Sequence, residues 1–302
     1  MSIKPIILLG QTATGKTALS IQLAKEINGE IISADSMQVY RGMDIGTAKP
    51  TIEEQQGIPH HLIDIRNPDE EWTVADFVGE STRVSEYLNT RGKRPIIVGG
   101  TGLYLWSLLE GFSFPIIEAN KEVRERLEAI PTATLYSQLG TIDPKACEKI
   151  NQNDKKRIIR ALEVFELTGM PISLIQESGK RKTENGKQGN ILIGLTLPRE
   201  ELNTRINTRV DNMMEKGLID EVRGLIEKGY SKDLRSFQAL GYKEVVQYLD
   251  GTWAKEQMIE ELKKRTRNFA KRQMTWFKRF QNVKWFEASD NTFQDVIKYL
   301  HG

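Results

Sequence analysis

One eight-residue stretch constrains the fold of this chain more than any other, GQTATGKT at residues 10–17. It matches the phosphate-loop pattern G-x-x-x-x-G-K-[ST], follows the apolar run IILLG, and precedes an amphipathic helical pattern. Glycines in such a loop let backbone N–H groups point inward, where they and the helix N-terminus bind phosphate oxygens. The sequence therefore predicts a strand–loop–helix unit that binds a nucleotide such as ATP, or another diphosphate or triphosphate.

Each part of this loop has an expected role. Lys16 is expected to reach the terminal phosphates, and the Thr17 hydroxyl is expected to bind Mg²⁺. ATPases with this loop usually carry a second strand that ends in an acidic residue. The matching strand here, at 95–98, is followed by Gly-Gly-Thr-Gly, which disfavours an ATPase motor or a GTPase switch. The expected phosphate contacts are Gly10, Thr12, Ala13, Thr14, Gly15, Lys16 and Thr17.

Short apolar runs alternate with helical patterns, which predicts an α/β fold with a mainly parallel sheet flanked by helices. The predicted strands are 5–9, 30–33, 95–98, 190–197 and 283–286. The predicted helices are 17–27, 72–89, 119–130, 133–139, 144–150 and 154–167, and the polar segment 179–189 is predicted to be an exposed loop. We expect a core like that of phosphate-loop NTPases at 1–115 and 190–302, with a helical insertion domain at 116–189.

Basic charge is concentrated near the C-terminus. The chain has 43 Lys+Arg and 41 Asp+Glu, yet residues 255–284 contain ten basic and three acidic residues. Apolar residues recur at helical spacing between them, which predicts a helix with one face on the core and a basic face turned to water or to a polyanion. A solvated basic face without a partner is the alternative.

Several classes are disfavoured by residue counts and hydropathy. One cysteine and three histidines argue against a disulfide, a zinc site or a histidine-built metal centre. No apolar run is long enough for a signal peptide or a membrane span. We therefore expect a cytoplasmic protein with no membrane partner, and a monomer as the simplest state.

Asp35 follows the second predicted strand, and open parallel sheets bind ligands beyond the carboxyl ends of their strands. We expect Asp35 near the phosphate loop, and a turn-capping role remains open for it. The side-chain amide of Gln38 can pair with N6 and N7 of an adenine.

Nine segments in order resemble the tRNA dimethylallyltransferases, also called tRNA isopentenyltransferases. Two of them are ISADSMQVYRGMDIGTAKP (32–50) and PIIVGGTGLY (95–104), whose most specific parts are DSMQVYRGMDIGTAK and GGTGLY. The others are GQTATGKT (10–17), PHHLIDI (59–65), WTVADF (72–77), NDKKRIIRALEVFELTG (153–169), RINTRVDNMMEKGLIDEV (205–222), QALGYKE (238–244) and TRNFAKRQMTWFKR (266–279).

The resemblance implies a reaction in which a dimethylallyl group moves from dimethylallyl diphosphate to N6 of adenosine 37 in tRNA, with release of diphosphate. It implies that Asp35 is the base, that Thr101 lies near the reacting groups, and that Arg209 and Lys16 neutralise the diphosphate. Mg²⁺ is the implied cofactor. The residues implied to contact the tRNA anticodon stem-loop are Asp35, Ser36, Met37, Gln38, Thr101, Arg157, Arg160, Gly241, Lys271 and Arg272.

Two other functions share part of this pattern. A phosphate-loop kinase would use Lys16, Thr17 and Asp35, but would not need the basic C-terminal helix. An RNA-binding nucleotide switch would need no base at Asp35, and the strand at 95–98 lacks the acidic residue that such switches carry.

Overall fold

The computed structural model describes residues 3–110, 120–178 and 190–301. The chain forms two compact units, Met1–Trp106 with Gln188–Gly302, and Ser107–Lys187. The second unit thus begins before residue 116, where the sequence predicted its start. The predicted loop at 179–189 and residue 119, the predicted first residue of a helix, lie outside the described residues.

Within the described residues, the first unit contains a six-stranded sheet. Its strands are β1 (Ile6–Gly10), β2 (Gly29–Ser33), β3 (His60–His61), β4 (Arg94–Gly99), β5 (Ile191–Thr196) and β6 (Lys284–Glu287). Their order is β3–β2–β4–β1–β5–β6, and every neighbouring pair is parallel. The α/β prediction is therefore confirmed. Five strands match the predicted ones, whereas β3 is too short to leave a hydropathy pattern.

The described helices follow in chain order. They are α1 (Lys16–Glu26), α2 (Ile52–Gln55), α3 (Val74–Thr90), α4 (Gly102–Glu110), α5 (Lys121–Glu128), α6 (Thr132–Ile142), α7 (Pro144–Cys147), α8 (Lys155–Thr168), α9 (Ile172–Ser178), α10 (Arg199–Glu215), α11 (Leu218–Glu227), α12 (Tyr242–Leu249), α13 (Lys255–Phe277) and α14 (Thr292–His301). None of these described helices is both long and apolar enough to cross a membrane.

The core of the first unit includes β1 and α1, the strand and the helix on either side of the phosphate loop. β1 is buried at every residue, as expected for a strand covered on both faces. Leu19 and Leu23 of α1 pack with Ile6 and Leu8 of β1 and with Val296 of α14. This packing fixes the position at which β1 ends and α1 begins, and therefore the position of the phosphate loop (residues 10–17).

The second unit is helical in its described part, as predicted. Its core contains Leu135 and Leu139 of α6 together with Ile158 and Leu162 of α8. The helix predicted at 144–150 is shorter than expected, because α7 ends at Cys147.

Helix α13 has the predicted amphipathic character. One face buries Met258, Leu262, Ala270, Gln273 and Phe277, whereas Lys271 and Arg272 are exposed. A glutamine thus lies on the buried face, where the spacing alone would favour an apolar residue.

Candidate active site

A cavity of about 910 Å³ lies at the carboxyl ends of the strands in the first unit. Residues 12–17 of the phosphate loop line one side of it, and residues of α10 and α13 line others. The segment after β2 and the loop after β4, here called the Thr101 loop (residues 99–101), also line it. This is the edge at which parallel sheets bind ligands.

The phosphate loop offers an anion site made of backbone groups. Ala13 (φ 64°) and Gly15 (φ 88°) adopt left-handed backbone conformations. Among the described residues, nothing accepts a hydrogen bond from the N–H groups of residues 13–17, whereas Thr12 donates its N–H to Oε1 of Gln273 at 2.8 Å. The free amides therefore come from residues 13–17, and the backbone of Thr12, a predicted phosphate contact, is already engaged.

Six Lys and Arg side chains line this cavity; Arg205 and Arg265 pair with described carboxylates, whereas Lys16, Arg209, Lys243 and Arg272 do not. Lys16 Nζ donates to the carbonyls of Gly10 (2.9 Å) and Gln11 (2.7 Å). Burial and, to a smaller extent, the charge of Arg209 lower the pKa of Lys16, Asp35 opposes both effects, and the resulting pKa is about 7. Burial also lowers the pKa of Arg209. Two desolvated cations beside five free amides indicate a site for a polyanion.

Asp35 turns the chain after β2 and keeps part of its carboxylate available. Its Oδ1 accepts hydrogen bonds from the backbone N–H groups of Met37 (2.8 Å) and Gln38 (3.3 Å). Among the described residues, no hydrogen bond reaches Oδ2. The turn-capping role and the predicted role as a base are therefore compatible, because they use different oxygens.

Thr101 also lines the cavity, and it contacts the residue that follows Asp35. Its Oγ1 accepts a hydrogen bond from the N–H of Ser36 at 3.2 Å, and its own N–H donates to the carbonyl of Ala34 at 3.3 Å. Since Oγ1 acts as the acceptor for Ser36, the hydroxyl proton of Thr101 is available to a ligand.

Gln38 lines the cavity, but its amide is already held by the protein. Oε1 accepts from Oγ of Ser33 at 3.0 Å, and Nε2 lies 3.4 Å from the carbonyls of Thr47 and Ala48. One lone pair of Oε1 remains for a ligand, whereas the two N–H groups of Nε2 both face these carbonyls. The predicted pairing with both N6 and N7 of adenine would therefore require one N–H to leave its carbonyl.

The segment after β2 is anchored by a carboxylate that the sequence analysis missed. Glu221 on α11 accepts hydrogen bonds from the N–H groups of Asp44 (3.0 Å), Ile45 (2.7 Å) and Gly46 (3.2 Å). The hydroxyl of Tyr242 donates to the same carboxylate at 2.6 Å. The only signal in the sequence was an acidic residue in the first turn of α11, which is also a common stabilising feature of helices.

A buried lysine strengthens the same segment. The side chain of Lys49 is 4% exposed and pairs with Asp44 (2.6 Å) and Asp64 (2.5 Å). Its Nζ also donates to the carbonyl of Tyr40. The cavity wall at residues 46–48 is therefore fixed from both sides.

The basic helix contributes both charge and an aromatic ring to the cavity. Phe269 and Arg272 line it, and the guanidinium of Arg272 lies 5.9 Å from the ring centroid of Phe269. Lys271 is exposed and is not part of the lining. Such a cationic and aromatic surface suits unpaired nucleotides, whose bases stack on rings while their phosphates pair with cations.

The cavity does not include every predicted site residue. Gly241 caps α12 and donates its N–H to Oε2 of Glu244 at 2.8 Å, but it does not line the cavity. Arg157 and Arg160 belong to the second unit, where Arg157 is exposed and Arg160 pairs with the buried Glu163 at 2.6 Å. The cavity brings together Lys16, Asp35, Ser36, Met37, Gln38, Thr101, Arg209 and Arg272.

A resident metal centre has no support in the described residues, because no three His, Cys, Asp or Glu side chains are grouped to hold one. The Thr17 hydroxyl lines the cavity in the first turn of α1. Mg²⁺ commonly binds through one or two protein oxygens and completes its shell with phosphate oxygens and water. The donor set therefore fits a Mg²⁺ ion that arrives with a diphosphate.

Comparison with known proteins identifies the same family that the sequence motifs resemble. The family IPP transferase matches residues 38–280. The chain is 49% identical to the tRNA dimethylallyltransferase of Thermoanaerobacter sp. (strain X514), over 100% of this chain and 99% of that protein. It is 46% identical to the tRNA dimethylallyltransferase of Halalkalibacterium halodurans, over 100% of this chain and 96% of that protein.

Solved structures show the same likeness. A full-length tRNA isopentenylpyrophosphate transferase from Bacillus halodurans has a TM-score of 0.72 and 46% identity, covering 99% of this chain and 94% of that one. A eukaryotic dimethylallyltransferase acting on tRNA has a TM-score of 0.83 and 32% identity, covering 98% of this chain and 78% of that one. The expected core like that of phosphate-loop NTPases is confirmed.

Proposed function

The chain belongs to the IPP transferase family, and we propose that it moves a dimethylallyl group from dimethylallyl diphosphate to N6 of adenosine 37 in tRNA. The observation that carries the proposal is one cavity in which a polyanion site faces a carboxylate and a hydroxyl. The first half suits a diphosphate leaving group, and the second suits an amine that must lose a proton.

The diphosphate is bound by the free amides of residues 13–17 together with Lys16 and Arg209. As the allylic C–O bond breaks, negative charge grows on the departing diphosphate. Fixed N–H dipoles and desolvated cations stabilise this charge more strongly than water would, because they need no reorganisation. Arg209 suits the task because a guanidinium can contact two phosphate oxygens at once.

Mg²⁺ fits this half of the cavity through the hydroxyl of Thr17 and oxygens of the diphosphate. When bound, it supplies further positive charge to the leaving group.

The adenine half contains Asp35 and Thr101. The exocyclic N6 amine is a weak nucleophile, because its lone pair is delocalised into the ring. Asp35 Oδ2 accepts the N6 proton as the new C–N bond forms, while Oδ1 stays in the turn with Met37 and Gln38. The Thr101 hydroxyl donates a hydrogen bond at the reacting groups and keeps its bond from Ser36.

The RNA reaches the cavity through the surface formed by Phe269 and Arg272, with Lys271 as a further phosphate contact. A base inside a stacked loop cannot reach Asp35, so adenosine 37 leaves its stack. A loop base is cheaper to extrude than a paired one. On the core, the adenine and the RNA backbone are further contacted by Ser36, Met37, Gln38 and Gly241. From the second unit, Arg157 and Arg160 hold the anticodon stem-loop.

The proposed function is tested by a transfer assay with labelled dimethylallyl diphosphate, Mg²⁺ and unmodified tRNA. One tRNA carries adenosine at position 37, and a matched tRNA carries guanosine there. Label should enter only the adenosine tRNA, with one diphosphate released per transfer. Label in both tRNAs, or in neither, would contradict the proposal.

The Asp35→Asn variant tests the base within the same assay. Asparagine keeps an oxygen for the turn but cannot take a proton at neutral pH. Turnover should fall by about 10²- to 10⁴-fold, the usual contribution of a positioned base, with diphosphate affinity nearly unchanged. Asp69→Asn, at an exposed aspartate outside the cavity, is the matched control.

A further inference from the structure

Gln273 connects three parts of the active site that are distant in sequence. It lies on the buried face of α13 and is only 4% exposed. Its Oε1 accepts the N–H of Thr12 at 2.8 Å, and its Nε2 donates to the carbonyl of Gly100 at 3.0 Å. A single side chain therefore ties the basic helix to the phosphate loop and to the Thr101 loop.

The polarity of these two bonds suits a primary amide and few other side chains. The N–H of Thr12 can only donate, and the carbonyl of Gly100 can only accept. A carboxylate could serve Thr12 but would face the Gly100 oxygen with a like partial charge. A methionine of similar length could serve neither partner.

Two neighbouring features show that the packing is built around this amide. Gln11 Nε2 donates to the carbonyl of Ala270 on α13 at 2.9 Å, so a second glutamine bridges the same two elements. A Cβ atom at position 100 would overlap Nε2 of Gln273, so glycine at that position makes room for the amide.

We infer that Gln273 is a positioning residue of the transfer reaction, which holds the phosphate loop and the Thr101 loop at the separation that transfer requires. The inference rests on the proposed function, because the two loops then carry the two reaction partners. The diphosphate binds to the first loop, and the amine reacts beside Thr101 on the second. Misplacing reacting groups by about 1 Å can reduce a rate by about 10²-fold.

The first test compares the wild type with Gln273→Met and Gln257→Met. Gln257 lies on the same helix, is exposed and is outside the cavity, so it controls for the change of residue type. For Gln273→Met, we expect kcat to fall about 10- to 100-fold while KM for tRNA stays within about twofold. Gln257→Met should match the wild type.

The same proteins are titrated with inorganic diphosphate in a calorimeter. Losing the bond to Thr12 should raise Kd by about 2- to 10-fold, the range of one net hydrogen bond. A wild type that transfers no prenyl group would overturn the proposed function and this inference with it. An active wild type with an unaffected Gln273→Met kcat would overturn this inference alone.

A second set of variants separates positioning from folding. Gly100→Ala alone should lower the melting temperature, because its Cβ overlaps the amide of Gln273. Gly100→Ala combined with Gln273→Ala removes the overlap and should recover the melting temperature of Gln273→Ala. If Gln273 positions the loops, kcat of the double variant stays low. Recovery of wild-type kcat in the double variant would show that the amide only fills space.

Discussion

The hydroxyl of Tyr242 donates a 2.6 Å hydrogen bond to Glu221, and the same carboxylate accepts from three successive backbone amides at residues 44–46. Tyr242 is fully buried, and the bond helps to raise the pKa of its hydroxyl, after the larger effects of burial and of the charge of Glu221. The tyrosine therefore stays a donor. The pair holds the wall that also supplies carbonyls to Gln38.

Removing this carboxylate should damage adenine binding more than diphosphate binding. Glu221→Ala leaves three loop amides and one buried hydroxyl without their acceptor, which should lower the free energy of unfolding by roughly 1–3 kcal/mol. The specificity constant for tRNA should fall at least about tenfold, because residues 46–48 lose their support. Denaturant unfolding measures the loss of stability, and steady-state kinetics with each substrate varied in turn measures the change in the specificity constant.

The control for that change is Glu227→Ala, at an exposed glutamate at the end of the same helix. It should behave as the wild type. An equal loss of diphosphate affinity in Glu221→Ala would argue against an effect confined to the adenine side.

Diphosphate affinity should depend on the protonation of Lys16. Its pKa is about 7 in the free protein, mainly through burial and secondarily through Arg209. A bound diphosphate raises that pKa, so binding takes up a proton above pH 7. Affinity should therefore weaken as pH rises from about 7, by up to about tenfold per unit for one linked proton.

Calorimetry in two buffers of different ionisation enthalpy counts that proton. Lys16→Arg is the comparison, because arginine stays charged over this range and the ligand titrates identically with both proteins. The variant should show a flatter pH profile. Equal proton uptake by both proteins would assign the proton to the ligand.

Salt dependence should identify the cations that contact RNA phosphates. Each lost phosphate contact should reduce the log–log slope of tRNA affinity against salt by about 0.7–0.9. Lys271→Gln and Arg272→Gln should each show that reduction in filter-binding titrations. Lys298→Gln, at an exposed lysine on α14, should keep the wild-type slope. Unchanged slopes in all three would place the RNA elsewhere.

Arg160 should stabilise the second unit, whereas Arg157 should not contribute to its stability. Burial alone would raise the pKa of Glu163, but hydrogen bonds from Arg124, Arg160 and the N–H of Asn120 lower it overall. Arg160→Gln should therefore reduce the free energy of unfolding by about 1–3 kcal/mol. Arg157 is 65% exposed, and Arg157→Gln should leave that free energy unchanged.

The stability lost in Arg160→Gln should depend on pH, because the pKa of Glu163 is lowered in the folded protein. A glutamate with a depressed folded-state pKa stabilises the fold above its usual value of 4.5 and loses that effect as pH falls through the folded value. The difference between Arg160→Gln and the wild type should shrink in acid. Denaturant unfolding at pH 7 and in acid provides the measurement, and equal losses at both would contradict it.

The sequence by itself determined the phosphate loop and most of the sheet. β1, residues 10–17 and α1 are contiguous, and their glycines, Lys16 and Thr17 need only local backbone geometry to form the anion site. Three further strands, β2, β4 and β5, show apolar runs because they are buried inside the sheet, so hydropathy located them, and the partly exposed edge strand β6 was found from the shorter run at 283–286. β3 has two residues and left no such signal.

Tertiary structure alone decided which distant side chains meet at that loop. Gln273 lies 261 residues from Thr12 and 173 from Gly100, and Glu221 lies 175 from Gly46. No short-range pattern encodes such contacts, because they depend on the strand order and on how α11 and α13 pack against the sheet. A buried glutamine and a first-turn glutamate have ordinary local roles, and only the folded chain gives them partners. Sequence periodicity reports which face of an element is buried, whereas the fold decides what that face touches.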